Sequence, residues 1–227
     1  MLFSILIPTL DSRKEQFHRL YEKLSNQITG NSLADEVEIL YLLDNREYSL
    51  GFKRNRLIER ARGRFVAFID DDDDVSNNYI PLICSVIREN LDIDCIGIKG
   101  IITFGGKKPR IFIHSLRYRE YFSRGGVYFR PPYHLNPMKR EIALRYKFED
   151  ISYSEDIDWA MRICWDGALQ REHFIDEFIY FYKSRRSWRY QLLLDLSEPL
   201  RHALGLQMAN RIRIKRWLKS LFVQWQL

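Results

Sequence analysis

The chain has 227 residues, 46% of them apolar, and a formal net charge of +6. That length and apolar content suit one packed domain with an appendage. Its longest apolar runs, residues 2–7 and 37–43, fall well short of the roughly 20 residues that cross a bilayer, so no transmembrane helix is expected.

Residues 2–8 (LFSILIP) are a short apolar run closed by proline, and Lys14 to Ile28 sets Phe17, Leu20, Tyr21, Leu24 and Ile28 at helical spacing. Strand then helix is predicted. The pattern repeats as strand 37–43, helix 51–61, strand 65–69, helix 78–88 and strand 93–98. Such alternation predicts an α/β fold with a parallel, doubly wound sheet. Ligands of such sheets bind outside the carboxyl ends of the strands. Three polar clusters fall there: Pro8-Thr9-Leu10-Asp11, Asp44-Asn45, and five consecutive aspartates, Asp70 to Asp74.

After residue 100 the chain turns to aromatic-rich, strand-like pieces with Gly105-Gly106 and Gly125-Gly126 turns. Helices are predicted near 139–145 and 155–165, and a last strand over 178–182. Beyond Gln191 the chain reads as helices. In the final segment Ile214, Trp217, Leu218, Leu221, Phe222 and Trp225 share one face, opposite Arg211, Lys215, Arg216 and Lys219. The chain thus divides into an alternating half (1–100), a mixed half (101–183) and a helical extension (184–227).

The extension carries nine Lys/Arg against two Asp/Glu, which leaves the rest of the chain close to neutral. A basic tail on a neutral body points to an anionic partner, membrane surface or nucleic acid; the bland alternative is a solvated helix face. Cys84, Cys95 and Cys164 are odd in number and lack CxxC spacing, so reduced thiols in a cytoplasmic protein are expected, peripheral at a membrane or on DNA through the tail. The amino terminus has neither a basic region nor a small-residue cleavage site, so no secretory signal is expected.

The aspartate run follows directly on the strand Phe65–Ile69. Five crowded carboxylates raise one another's pKa unless a cation neutralises them, and Asp70 and Asp72, spaced i and i+2, can present oxygens to one metal. Hard oxygen ligands at this density suit magnesium or manganese. The alternatives are an acidic solvated turn or a calcium loop, but an EF-hand needs alternating ligands over 12 residues around a central glycine, which Asp74-Val75-Ser76 does not supply.

Five motifs then fall in order: SILIPTLDSR (4–13), EILYLLDN (38–45), G-x-x-R-N (Gly51 to Asn55), ARGRFVAFIDDDD (61–73) and SEDIDWAMR (154–162). Together they resemble the inverting nucleotide-sugar glycosyltransferases of family 2, over roughly residues 2–183. The resemblance implies a GT-A fold, a Rossmann-like, mainly parallel mixed sheet flanked by helices. It makes 1–100 the half that binds the nucleotide sugar and 101–183 the half that binds the acceptor. Pro8, Thr9 and Asp11 would line the nucleotide pocket, Asp44 would accept the ring N–H of uracil in a UDP-sugar, and Arg54 would lie near the diphosphate or in the pocket wall.

Asp70 and Asp72 match the family's DxD motif, with Asp72 the leading ligand for Mn2+ or Mg2+ and Asp70 and Asp71 at the nucleotide sugar. Asp73 would contact the sugar or face water. Asp156, after Ser154-Glu155, matches the catalytic base that takes the acceptor hydroxyl's proton, and Glu155 lies beside it; both also suit a helix N-terminus. His134, Asn136 and Arg140 form a polar group at the cleft edge, as acceptor or sugar contacts. The last strand carries no histidine for a third metal ligand, and Lys183, Arg185 or Arg186 would assist the diphosphate instead.

The acceptor is either a surface or lipid-linked glycan, reached by a tail lying at a membrane interface, or a hydroxylated base in DNA, since the compact size and the HLNPMKRE segment (134–141) resemble phage-type members of the family, some of which modify DNA. Two other classes remain: a sugar nucleotidyltransferase, although Leu10-Asp11-Ser12-Arg13 lacks the glycine-rich loop that class needs, and a non-catalytic metal-binding module.

Overall fold

The structure, a computed structural model, describes residues 1–90 and 92–184. In chain order these form β1 (Phe3–Leu10), α1 (Lys14–Gly30), β2 (Val37–Asp44), α2 (Leu50–Arg60), β3 (Phe65–Phe68), β4 (Asp74–Val75), α3 (Tyr79–Glu89) and β5 (Cys95–Phe104). There follow β6 (Lys107–His114), β7 (Phe122–Arg124), β8 (Val127–Arg130), β9 (Met138–Lys139), α4 (Arg140–Arg145), α5 (Glu155–Trp165) and β10 (Glu172–Ser184). The predicted extension beyond Ser184, with Arg185, Arg186 and the amphipathic terminal segment, lies outside the described residues.

The first seven residues of β1 are all buried. A strand apolar on both faces needs cover on both, which places β1 inside a parallel sheet between β2 and β3. Leu10 pairs with Asp44 and Leu6 with Phe68, so the carboxyl ends of these strands finish side by side. α1 buries Phe17, Leu20 and Leu24, three of the positions its 3.6-residue period picks out.

The sheet runs β2-β1-β3-β9-β5-β6-β8-β7, with β10 parallel to β5 and antiparallel to β4. It is mixed, because the short β9 enters antiparallel between β3 and β5. The strand predicted over 178–182 is the second half of β10, which begins at Glu172. Its first half was hidden by Asp176 and Glu177, exposed residues where the register with β5 slips between Phe174 and Phe178. Gly105-Gly106 and Gly125-Gly126 hold positive φ at both positions and close the β5–β6 and β7–β8 hairpins, a conformation that suits the strand twist and that glycine adopts at least cost. Among the described residues no helix is long and apolar enough to cross a membrane.

Candidate active site

The five aspartates do not form a uniform patch. Asp71 and Asp73 are buried, whereas Asp70, Asp72 and Asp74 are partly exposed. Asp71 accepts hydrogen bonds from Thr9 Oγ1 at 2.7 Å and from Arg13 at 2.5 Å. Burial still pushes its carboxyl above the usual range. Asp73 accepts from Tyr180 Oη and from the Lys183 backbone N–H, both at 2.8 Å, and so ties the run to β10. Burial, with Asp70 nearby, raises its carboxyl well above the ordinary value. Asp73 is therefore a buried strut between the aspartate run and β10 and does not face water. Asp74 pairs with Lys23 at 2.8 Å.

That alternation leaves Asp70 and Asp72, with side chains 26% and 25% exposed, on the open side of the run. Asp72 lies 3.8 Å from Arg13. Among the described residues no group of three His, Cys, Asp or Glu side chains is arranged as a metal cage. Two partly exposed carboxylates without a third protein ligand still fit magnesium or manganese, which take one or two carboxylates and fill the remaining positions with phosphate oxygens and water.

Behind Asp70 lies Arg54, 1% exposed. Its guanidinium reaches Asp70 at 3.2 Å, Glu155 at 3.4 Å, Asp156 at 3.9 Å and His134 Nε2 at 3.2 Å, between the rings of Phe68 and Phe148. Arg54 thus forms the floor that joins the aspartate run to α5. Burial opposes ionisation of Asp70, but the guanidinium groups of Arg54 and Arg13 hold its carboxyl below the usual range. Glu155 is 2% exposed, and burial, reinforced by Asp156, outweighs Arg54 and pushes its carboxyl up to about 7.

The rest of the G-x-x-R-N motif positions the loop that enters α5. A Cβ on Gly51 would stand 1.8 Å from the Glu149 carbonyl oxygen, so only glycine lets α2 pack this closely against that loop. Asn55 donates to the Phe148 carbonyl at 2.9 Å and accepts from the Phe148 N–H at 2.8 Å. Ser154, which precedes α5, takes a left-handed φ of 66° and makes no side-chain cap bond. Asp156 accepts the Ile157 N–H itself at 2.8 Å, and the Tyr133 hydroxyl donates to its other oxygen.

Asp70 and Asp156 line one cleft of about 290 Å³, together with Tyr121, Tyr128, Arg130 and Tyr182 on the opposite wall. His134, buried, stands between the two carboxylates, 3.7 Å from each. Asn136 and Arg140 are placed elsewhere. Asn136 is fully buried and bonds the Ile96 carbonyl, the Tyr133 N–H and His114; Arg140 donates to the Ile58 and Glu59 carbonyls at the end of α2. Both hold the scaffold together.

At the carboxyl ends of the first two strands, Pro8 and Thr9 lie near the end of β1, Asp11 is exposed and pairs with Lys14 at 3.1 Å, and Asp44 is buried at the end of β2. Asp44 accepts from Lys53 at 2.5 Å and from the Tyr48 N–H at 2.9 Å; burial opposes its ionisation, but these donors hold its carboxyl below the ordinary value.

The family model for glycosyl transferase family 2 matches residues 31–147, more than half of the chain. The chain belongs to that family. No curated protein sequence matches it. Among solved structures it is similar to S. aureus TarS 1-349, at 17% identity with a TM-score of 0.56 over 81% of this chain and 60% of that one. The TarS complexes with UDP-GlcNAc and with UDP match at 16% identity with a TM-score of 0.57, again over 60% of their length. The chain thus spans about 60% of the TarS segments it matches. The fold is GT-A, as the motifs led one to expect.

In this family member, sequence reasoning missed Arg13, Lys53, His114, Arg130 and Tyr182. Arg13 and Lys53 stand inside or beside the quoted motifs, and their signal was the surplus of strand-end carboxylates needing cations. His114, Arg130 and Tyr182 come from three separate strands, and only the sheet order brings them together.

Proposed function

We propose that this chain transfers a sugar from a nucleoside diphosphate sugar, UDP-linked, to an acceptor hydroxyl by direct, inverting displacement. The observation that carries this reading is the convergence of Asp70, at a strand end, and Asp156, at a helix start, on one cleft, with His134 3.7 Å from each. Inversion needs the leaving group held on one face of the anomeric carbon and a base on the other. The complexes of TarS with UDP-GlcNAc and UDP support a UDP-linked donor. Residues 1–100 would hold the donor, with Pro8, Thr9, Asp11 and Asp44 at the nucleoside, and residues 101–183 the acceptor.

Asp72 and Asp70 would hold the metal, Mn2+ or Mg2+, which when bound neutralises charge developing on the diphosphate. The acceptor oxygen attacks the anomeric carbon, its proton passes to Asp156, and the bond to the β-phosphate oxygen breaks with its electron pair leaving on UDP. Tyr133, donating to one oxygen of Asp156, fixes the direction of the base. Arg54 keeps Asp156 and Asp70 in fixed relation and touches neither reacting atom. A glycan or a DNA base remains the acceptor class. A calorimetric titration with UDP, with and without manganese, tests the reading: metal-strengthened binding is expected, and no UDP binding under either condition overturns it.

A further inference from the structure

Beneath the cleft lies a chamber of about 40 Å³ lined by Asp70, His114, Arg130, His134, Asp156 and Tyr182. Its histidine nitrogens can be assigned from their partners. Asn136 Nδ2 donates to the Ile96 carbonyl at 2.9 Å and its Oδ1 accepts the Tyr133 N–H at 3.0 Å, which fixes the amide's orientation. His114 Nδ1, 3.1 Å from that same Oδ1, must then carry the proton. Burial, with Arg130 nearby, keeps the ring neutral, so Nε2 is a bare acceptor. It has no hydrogen-bond partner among the described residues, and His114 is 1% exposed.

His134 presents the complement. Its Nε2 accepts from Arg54 at 3.2 Å, so Nδ1 bears the proton and is likewise unpartnered among the described residues. A buried acceptor and a buried donor, both unused, face a space with room for one small polar group. Native interiors satisfy such atoms with water or ligand.

We propose that this chamber is a subsite for the transferred sugar, in which one sugar hydroxyl donates to His114 Nε2 and accepts from His134 Nδ1. The inference rests on the transferase reading and deepens it. The chamber is bounded by Asp70 on the leaving-group side and Asp156 on the base side, and the transferred sugar is the part of the substrate that must lie between them. Its volume suits a single hydroxyl or hydroxymethyl group. The donor is therefore a sugar carrying a hydroxyl at the position read here, and its deoxy analogue is discriminated against, because it leaves the acceptor unpaired.

The test is a set of calorimetric titrations of the full chain with manganese and UDP, UDP-glucose, UDP-galactose or UDP-N-acetylglucosamine. Monodeoxy analogues of the tightest sugar nucleotide follow. Loss of one particular hydroxyl is expected to weaken binding about tenfold. His114→Phe is expected to keep the UDP affinity, weaken the parent sugar nucleotide about tenfold, and abolish its advantage over that deoxy analogue. The proposal is overturned if UDP binds but no sugar improves on it, if every deoxy analogue binds like its parent on the unmodified chain, or if a folded His114→Phe keeps the discrimination. Failure of UDP itself to bind is a different result and sinks the transferase reading.

Discussion

The two walls of the cleft solve opposite problems. On the aspartate side every buried carboxylate has a committed partner: Asp44 has Lys53, Asp71 has Thr9 and Arg13, Asp73 has Tyr180 and the Lys183 N–H. On the aromatic side, buried polar atoms of Tyr121, His114 and His134 have no hydrogen-bond partner among the described residues, whereas the two Arg54 nitrogens that also lack one belong to a guanidinium paired by charge with Asp70, Glu155 and Asp156. A wall whose charges are balanced internally is preorganised and performs the same task whatever sugar arrives. A wall with unused donors and acceptors is completed by its ligand, and there discrimination can be built.

That contrast can be broken first at Asp156, which belongs to the chemistry and should be the costliest single change. Asp156→Asn is expected to lower UDP-sugar turnover about 10²–10⁴-fold while UDP binding persists, compared by steady-state kinetics and calorimetry. Full turnover in this variant would place the base on another residue and leave Asp70 without its partner in the displacement.

Arg54→Met comes next, because it leaves Asp70, Glu155 and Asp156 around a floor without its cation. Removing one partner from a buried ionic cluster costs about 3–5 kcal/mol, so urea unfolding should shift strongly. A change below about 1 kcal/mol, the scale of an exposed pair, would show that the aspartate wall is not held together from beneath. Asp72→Asn is smaller and more local. It should weaken manganese-dependent UDP binding about 10–100-fold, as loss of ligand support does, while leaving the melting temperature near that of the parent chain, since Asp72 is partly exposed. Equal metal dependence in parent and variant would remove Asp72 as a ligand.

Legibility followed the same division. The alternating β1 to β5 half was readable because each element is long and periodic, and its site residues fall at strand ends, which the topology of parallel sheets turns into neighbours. Asp70 and Asp72 were found that way. The distinct burial of Asp71 and Asp73 was not, because a uniform run of aspartates carries no period in its residue types; only the pairing of Thr9, Arg13 and Tyr180 assigns each its direction. Arg54 was located but its depth was not, since a charged residue on a helix is ordinarily read as exposed, and here two aromatic rings from distant segments enclose it. The chamber around His114 was unreadable for a topological reason. β6, β8 and β10 meet there through a mixed strand order that no local pattern encodes.

The finest test concerns Glu155, which lies under the seam of the two walls. Its carboxyl is raised from 4.5 to about 7 in the folded chain, first by burial and then by Asp156. In the unfolded chain it ionises near 4.5, so between these values the folded state binds more protons than the unfolded state. Stability contributed by the protonated acid is therefore fully present below pH 4.5 and is lost as pH rises through about 7. Glu155→Gln keeps the size and removes the titration. Its stability relative to the parent chain should rise steadily across that window and level off above it, read from chemical melts at several pH values. A flat difference would mean that Arg54 keeps Glu155 ionised throughout and that the floor of the cleft carries one more negative charge than the raised carboxyl implies.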